Sequence, residues 1–262
     1  MGGSFASGKE EALYLGGFSS GGTSSQTTDV GYVPLPGLIT VDFADKKFRN
    51  ISAAGYSTYS TSAWGGMHYI PMLGPNGVYI MIGGDTPPPW SYTYGDSKRK
   101  MDNITVYEPV TRQWFHQTTI GDEIPTPREH FCIVGMGEKA SGSFEIFIYA
   151  GYDGIGRPPS PKYDELWVLT LPAFHYQKAD YTSTHGRHGH TCSVIGSRYI
   201  FTYGGGEMLK NNFWGEVGRP DPVFNRGIGI FDMSKMTWVE EFDPDAAPYV
   251  RPNSFNDWYA AK

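Results

Sequence analysis

The residues with the richest coordination chemistry are His185, His188 and His190, followed by Cys192. Imidazole and thiolate are the usual ligands of zinc and copper. On an extended strand His188, His190 and Cys192 share one face, but at a rise of ~3.3 Å per residue the outer pair stands roughly 13 Å apart. One ion with bonds of about 2.0–2.3 Å cannot take all three, so this run by itself makes no metal site. Gly17-Phe18-Ser19-Ser20-Gly21 has the letters of a nucleophile elbow, in which a sharp strand-to-helix turn exposes the serine; here a Gly/Ser/Thr loop follows instead of a helix. Gly151 to Gly156 is glycine-rich, but Arg157-Pro158-Pro159 stands where a phosphate cradle needs a helix N-terminus. Asp164-Glu165 and Glu240-Glu241 would suit glycoside hydrolysis only at a carboxylate spacing that sequence does not set; solvated strand ends account for them. No catalytic residue, metal or cofactor is expected.

The elements carrying these residues repeat. A short apolar run ending in glycine occurs four times: Leu13 to Gly17, Tyr79 to Gly84, Phe147 to Gly151 and Phe201 to Gly205. The last glycines, Gly17, Gly84, Gly151 and Gly205, are 67, 67 and 54 residues apart. A second run follows each, with a polar residue six positions before a large aromatic: Asp42 and Phe48, Glu108 and Trp114, Thr170 and Tyr176, Asp232 and Trp238. This reads as a strand, a tight turn closed by the polar side chain, and a strand whose aromatic packs between one sheet and the next. A third element precedes the glycine runs, at Trp64–Ile70, Pro127–Val134 and Gly186–Val194.

Composition agrees. With 34 glycines, 19 prolines, 15% aromatics and only 18% charged residues, the chain favours short strands and tight turns, and no amphipathic helix stands out. The net charge of −6 repels phosphate backbones, which argues against nucleic acid. The basic run Lys98-Arg99-Lys100 reads as a solvated loop. Two cysteines, Cys132 and Cys192, do not make a disulfide framework, and their redox state is open. No apolar run approaches the ~18 residues that span a bilayer.

A strand with Arg and His, an apolar strand ending Gly-Gly, an acidic turn and then tryptophan resembles the kelch repeat of four-stranded propeller blades, across nearly the whole chain. Arg128–Cys132, His190-Thr191-Cys192 and Phe213-Trp214-Gly215 resemble fungal kelch proteins of the galactose-oxidase-like superfamily. The resemblance implies an all-β kelch-type propeller of four four-stranded blades, an incomplete or truncated one. The chain reads as a single segment over 1–262, with blades at approximately 1–52, 53–118, 119–180 and 181–245 and with 246–262 as a tail or the start of a closing strand. The resemblance also implies an extracellular or membrane-tethered location. Copper-radical sugar oxidases of that superfamily carry a Tyr-His pair; this chain has His68-Tyr69, His175-Tyr176 and Phe115-His116 instead, so the copper constellation is not carried over. The third unit departs from the pattern, with Ala150-Gly151 and Tyr176.

Loops after the second and fourth strands of each blade share one end of the sheets, and these are the long ones. They hold Trp90, Tyr92, Tyr94, Tyr152, Phe213 and Trp214, with Tyr56, Tyr59 and Tyr181, among Gly, Ser and Pro. Such loops suit protein contacts and sugar stacking alike, or pack on themselves. Arg128 and Arg187 occupy matching places before first strands, as lining of a polar pocket or as partners of neighbouring carbonyls. Asn50-Ile51-Ser52 and Asn103-Ile104-Thr105 are glycosylation sequons. The leading expectation is a non-catalytic module binding protein or glycan. A metal-dependent, galactose-oxidase-like sugar enzyme and an intracellular kelch scaffold are the alternatives.

Overall fold

A computed structural model of the chain describes residues 2–23, 25–27, 31–89, 97–138, 140–153, 164–183, 186–206, 221 and 223–262. They form four antiparallel four-stranded sheets, each strand paired with its neighbour in sequence apart from one small insertion. Sheet 1 holds β1 (Ser4–Ser7), β2 (Glu11–Leu15), β5 (Leu38–Asp42) and β6 (Phe48–Ile51); between β2 and β5 the loop adds a two-stranded ribbon, β3 (Phe18–Ser19) with β4 (Val33–Pro34). Sheet 2 runs β7 (Gly66–Ile70), β8 (Val78–Ile82), β9 (Asn103–Glu108), β10 (Gln113–Thr118). Sheet 3 runs β11 (Cys132–Glu138), β12 (Ser143–Tyr149), β13 (Leu166–Leu171), β14 (His175–Lys178). Sheet 4 runs β15 (Thr191–Ile195), β16 (Tyr199–Tyr203), β17 (Ile228–Asp232), β18 (Thr237–Val239). Four sheets of four strands in sequence order are the expected blades.

The chain divides into two compact units. One comprises Met1–Thr119, Thr126–Glu129 and Asp153–Ile155, with sheets 1 and 2; the other comprises Ile120–Pro125, His130–Tyr152 and Gly156–Lys262, with sheets 3 and 4.

Burial follows strand position. The second strands β8 and β12 are buried along their whole length, on both faces, which is why they read as unbroken apolar runs. The fourth strands β6 and β10 are largely exposed. In the first unit Leu13, Leu15 and Leu38 of sheet 1 share a core with Met67, Tyr79, Met81 and Tyr107 of sheet 2. In the second, Phe147, Tyr149, Leu166 and Val168 of sheet 3 share one with Ile200 and Phe231 of sheet 4.

The glycine pairs sit where a side chain would collide. Gly84 has φ +76°, and a Cβ there would lie 2.5 Å from Ala63 O and Gly65 N; at Gly205, φ +79°, it would lie 2.8 Å from His188 O. The first strand of each of these sheets is led in against its own glycine pair, so neither position has room for alanine.

Three of the four turn residues act as expected. Asp42 Oδ1 accepts the amides of Ala44 and Asp45 at 2.8 and 3.1 Å, Glu108 accepts those of Val110 and Thr111, and Asp232 Oδ1 those of Ser234 and Lys235. The backbone amides hold Asp42 below the usual carboxylate range, and the Thr111 hydroxyl first among its donors does so for Glu108. Thr170 differs. Its hydroxyl donates to buried Glu145 at 2.9 Å and meets Tyr259 Oη at 3.2 Å, and a turn with a cis Leu171–Pro172 bond follows it.

The aromatics also divide. Trp114 packs 4.6 Å from Tyr107 and 5.4 Å from Tyr56, Tyr176 is buried, and Trp238 sits against Tyr149, Phe224 and Phe231. Phe48, expected between sheets, is 79% exposed. Phe5, Ile39 and Val41 on the same face of sheet 1 are exposed as well.

The tail is another correction. Instead of a closing strand it forms a helix, α1 (Asn253–Ala260). Phe255 is fully buried in the core shared by sheets 3 and 4, and Trp258 stacks on His175 at 4.0 Å. Tyr249 donates to Glu145 Oε2 at 3.0 Å. Burial pushes the Glu145 carboxyl up, against the hydrogen bonds from Ser143, Thr170 and Tyr249. Tyr249→Phe removes a hydrogen bond to a buried carboxyl and is expected to cost about 1–3 kcal/mol, read as an earlier urea midpoint and faster proteolysis between residues 246 and 262. Stability equal to wild type would show that Tyr249 does not fasten the tail.

Candidate functional site at the lead-in end of the sheets

First strands begin and second strands end at the same end of each sheet, so the Arg/His lead-ins lie beside the glycine pairs. In the first unit Arg128 O accepts the Gly84 amide at 2.9 Å. Arg128 itself is 1% exposed, with Nε donating to Thr126 O at 3.2 Å. Glu129 is fully buried and ion-paired with Lys98 at 2.7 Å. Arg99 donates to Thr105 Oγ1 at 2.5 Å and lies 4.6 Å over the Tyr56 ring. Two cations of the basic run are thus taken into the structure and only Lys100 is exposed, which corrects the expectation of a solvated loop. The cause is the buried Glu129 carboxylate and the Tyr56 ring, both distant in sequence. Beside them Asp85 is fully buried; its backbone pairs with Ala63 at 2.8 and 2.9 Å, and its Oδ1 accepts the Thr86 amide at 3.2 Å.

In the second unit the lead-in of sheet 4 is tied to sheet 3 by backbone bonds, Gly151 N to Arg187 O at 2.8 Å and Gly189 N to His130 O at 2.9 Å. Arg187 is 6% exposed; it donates to Gly204 O and forms an ion pair with Asp221, both at 2.5 Å, over the Phe224 ring at 4.8 Å. Asp221 Oδ1 accepts the amides of Val223 and Phe224. Burial works against the Asp221 carboxylate, but Arg187 and those two amides outweigh it and hold its pKa below the usual range. Above this pair three rings cluster: Tyr152 lies 5.6 Å from His130 and 5.0 Å from His188, and the two imidazoles are 6.2 Å apart. His190 meets the Tyr149 ring at 5.0 Å. Burial lowers the His188 pKa; burial first, then the charges of Arg187 and His188, takes His190 down to about 3. Burial also raises Tyr149 and Tyr181.

The end of the second unit therefore presents neutral imidazoles and phenols around an arginine already neutralised by aspartate. Among the described residues no three His, Cys, Asp or Glu side chains converge on a point that suits a metal ion. A pocket of about 300 Å³ lies at the opposite end of sheet 4, between Gly196–Tyr199 and Phe242–Ala246. Its arginine, Arg198, is committed to Asp232 at 2.7 Å.

Of the sequence candidates, Arg128 and Arg187 are both buried with partners, each within its own unit, and Tyr152 is 3% exposed, packed between histidines. Tyr56 is buried under Arg99, Tyr181 donates to Asp164 O, and Tyr59 is exposed. Trp90, Tyr92, Tyr94, Phe213 and Trp214 lie outside the described residues. Asn50 on β6 and Asn103 at the start of β9 are both exposed.

The bond sequence reasoning missed is between Cys132 and Cys192, joined as a disulfide with Cα atoms 5.8 Å apart. It links the first strands of sheets 3 and 4, and it removes Cys192 from any thiolate chemistry. A signal was present. Each cysteine lies at the start of the first strand of its repeat, Cys132 as the first residue of β11 and Cys192 as the second of β15, and strand alternation puts both on the faces that meet, Cys132 opposite Tyr149 and Cys192 opposite Thr202.

No family model matches the chain. It is similar to a kelch repeat-containing protein of Arthroderma benhamiae, 26% identical over 201 residues, which cover 74% of this chain and 27% of that protein. It is also similar to the flagellar outer-arm dynein alpha chain of Chlamydomonas reinhardtii, 25% identical over 133 residues, 51% of this chain and 3% of that one. The chain thus spans about a quarter, or far less, of the length of these relatives. Among solved structures it resembles that of YjhT, with a TM-score of 0.52 and 13% identity, covering 78% of this chain and 58% of the other. The fourfold repeat, the four-stranded sheets in sequence order and these likenesses identify the chain as a kelch-type β-propeller fold.

Proposed function

We propose that the chain is a non-catalytic binding module that captures a protein or glycan ligand with the long loops at the lead-in end of its sheets. One observation carries this reading: key ionisable groups described at that end are ion-paired or held neutral by burial. Lys98 is paired with Glu129 and Arg187 with Asp221, while burial holds His188 and His190 neutral. A general acid or base needs a pKa near the working pH and reach to a substrate, whereas this arrangement stiffens the loop bases. Rigid sheets with long aromatic loops are how binding surfaces are commonly built. Kelch repeats in a relative add support of the same coarse kind.

The finer reading is a chain folded in an oxidising compartment and displayed outside the cell. Its support is the Cys132–Cys192 disulfide, since such bonds persist mainly in oxidising environments, and the exposure of both sequon asparagines. Trp90→Ala and Trp214→Ala are each expected to weaken ligand capture by about 30-fold without lowering thermal stability, measured on an oligosaccharide array and against a panel of secreted proteins. If both variants capture as well as wild type, the loops are not the binding surface.

A further inference from the structure

The repeat gives every sheet two distinct faces. Aligned on the last glycine, Leu13 and Leu15 of sheet 1 match Phe147 and Tyr149 of sheet 3. These side chains form the trailing face, packed against the next sheet. Tyr79 and Met81 of sheet 2 match Ile200 and Thr202 of sheet 4. They lie on the leading face, completed by Tyr107 and Trp114 in one case and by Phe231 and Trp238 in the other, packed against the preceding sheet. In both pairs the same register of trailing face meets the same register of leading face.

Two faces of these types carry exposed apolar side chains. The leading face of sheet 1 holds Phe5, Tyr14, Ile39, Val41 and Phe48 by register. Phe5 is 59% exposed, Phe48 79%, Ile39 40% and Val41 38%. Phe48 stands in the place of Trp114 and Val41 in that of Tyr107, so its exposure marks an unpartnered face of a known packing type. The patch is on the order of 400 Å², within the range of the largest apolar patch on a typical monomer, which is often functional. The trailing face of sheet 4 holds Phe201, Tyr203, Ile228 and Ile230, matching Leu13, Leu15, Leu38 and Thr40; Tyr203 is 54% exposed and Ile228 40%.

We propose that the leading face of sheet 1 takes the trailing face of sheet 4 from a second copy of this chain. The occupant follows from continuity with the packing inside each unit: both sheet pairs join trailing to leading, and among the described residues sheet 1 exposes apolar side chains on its leading face and sheet 4 on its trailing face. Pairing two leading faces would set Phe48 against Phe48, with no counterpart in either internal contact. The contact is therefore heterologous, the kind that either closes or extends by adding copies.

The test uses the full chain made without glycans, because Asn50 lies in the same row of the leading face as Phe5 and Ile39. Sedimentation velocity should show concentration-dependent association at micromolar levels. A leading-face variant, Val41→Lys with Phe48→Glu, and a trailing-face variant, Tyr203→Glu with Ile228→Lys, should each weaken self-association by on the order of 30-fold or more. Mixed together, the two variants should form a one-to-one complex, since each keeps the face that the other lacks. Phe48→Leu should retain association, and unchanged circular dichroism should show that the charged variants fold. A wild-type chain that stays monomeric overturns the proposal, leaving the face to a different partner. So does association that survives in the leading-face variant, and so does a mixture that stays monomeric while wild type associates. None of these outcomes touches the loop tryptophans, so the ligand reading stands or falls separately.

Discussion

Replacing Cys132 and Cys192 together by alanine is expected to destabilise the unit of sheets 3 and 4 by ~4 kcal/mol, from the chain entropy that a 60-residue separation releases to the unfolded state. The loss should appear as a lower urea midpoint for that unit's transition, matched by adding reductant to the wild-type protein. The first unit carries no cysteine among its residues, so its transition should not move. Selectivity is the sharper part of the expectation, because a general loss of packing would lower both. Alanine is apt at both positions: Cys132 is 7% exposed and opens a strand whose partners are already hydrogen-bonded, so the sheet itself survives. Equal midpoints with and without reductant would mean that the bond closes a loop which the unfolded chain already keeps closed.

The second large effect concerns acid. His190 has a folded pKa of about 3 against an ordinary value of 6.5. Below pH 6.5 the unfolded chain takes up a proton that the folded chain refuses. Stability is therefore fully present above 6.5 and is lost as pH falls toward 3, at up to about 1.4 kcal/mol per pH unit. Between pH 6.5 and 4.5 this amounts to roughly 2–3 kcal/mol, and His188 and His175, lowered in the same direction, add to it. His190→Phe keeps a ring against Tyr149 and cannot take the proton. Urea melts of the two proteins at pH 7, 5.5 and 4.5 should show the stability difference shifting in favour of the variant by that amount. Parallel pH profiles would place the titration elsewhere, since the carboxylates lowered by their turns, Asp42 and Glu108, are common to both proteins.

Both effects trace to the same contact, the seam between the lead-ins of sheets 3 and 4. Arg187 of the Arg187–Asp221 pair, the buried imidazoles of His188 and His190 and Cys192 of the disulfide lie within a few residues of one another at the start of β15. A seam held covalently and by desolvated polar groups fixes the bases of the loops that leave it. That is what a binding surface requires of its scaffold.

The repeat arithmetic was enough for the sheets. Strand period, the glycine pair and the acidic turn are local properties, decided within about ten residues, so four spacings of six between a turn residue and an aromatic sufficed to place β5, β9, β13, β17 and the strands after them. What the sequence left open depends on neighbours far away in the chain. Phe48 and Trp114 occupy the same register, yet one is exposed and one packed, because burial depends on whether a sheet arrives on that face. Thr170 leaves its turn because Glu145, 25 residues earlier, needs a donor in a place without water. Cys132 and Cys192 pair, and Phe255 makes a helix of the tail by entering a core, only once two sheets have stacked: local pattern settles which strands exist, and desolvation by distant segments settles what each side chain then does.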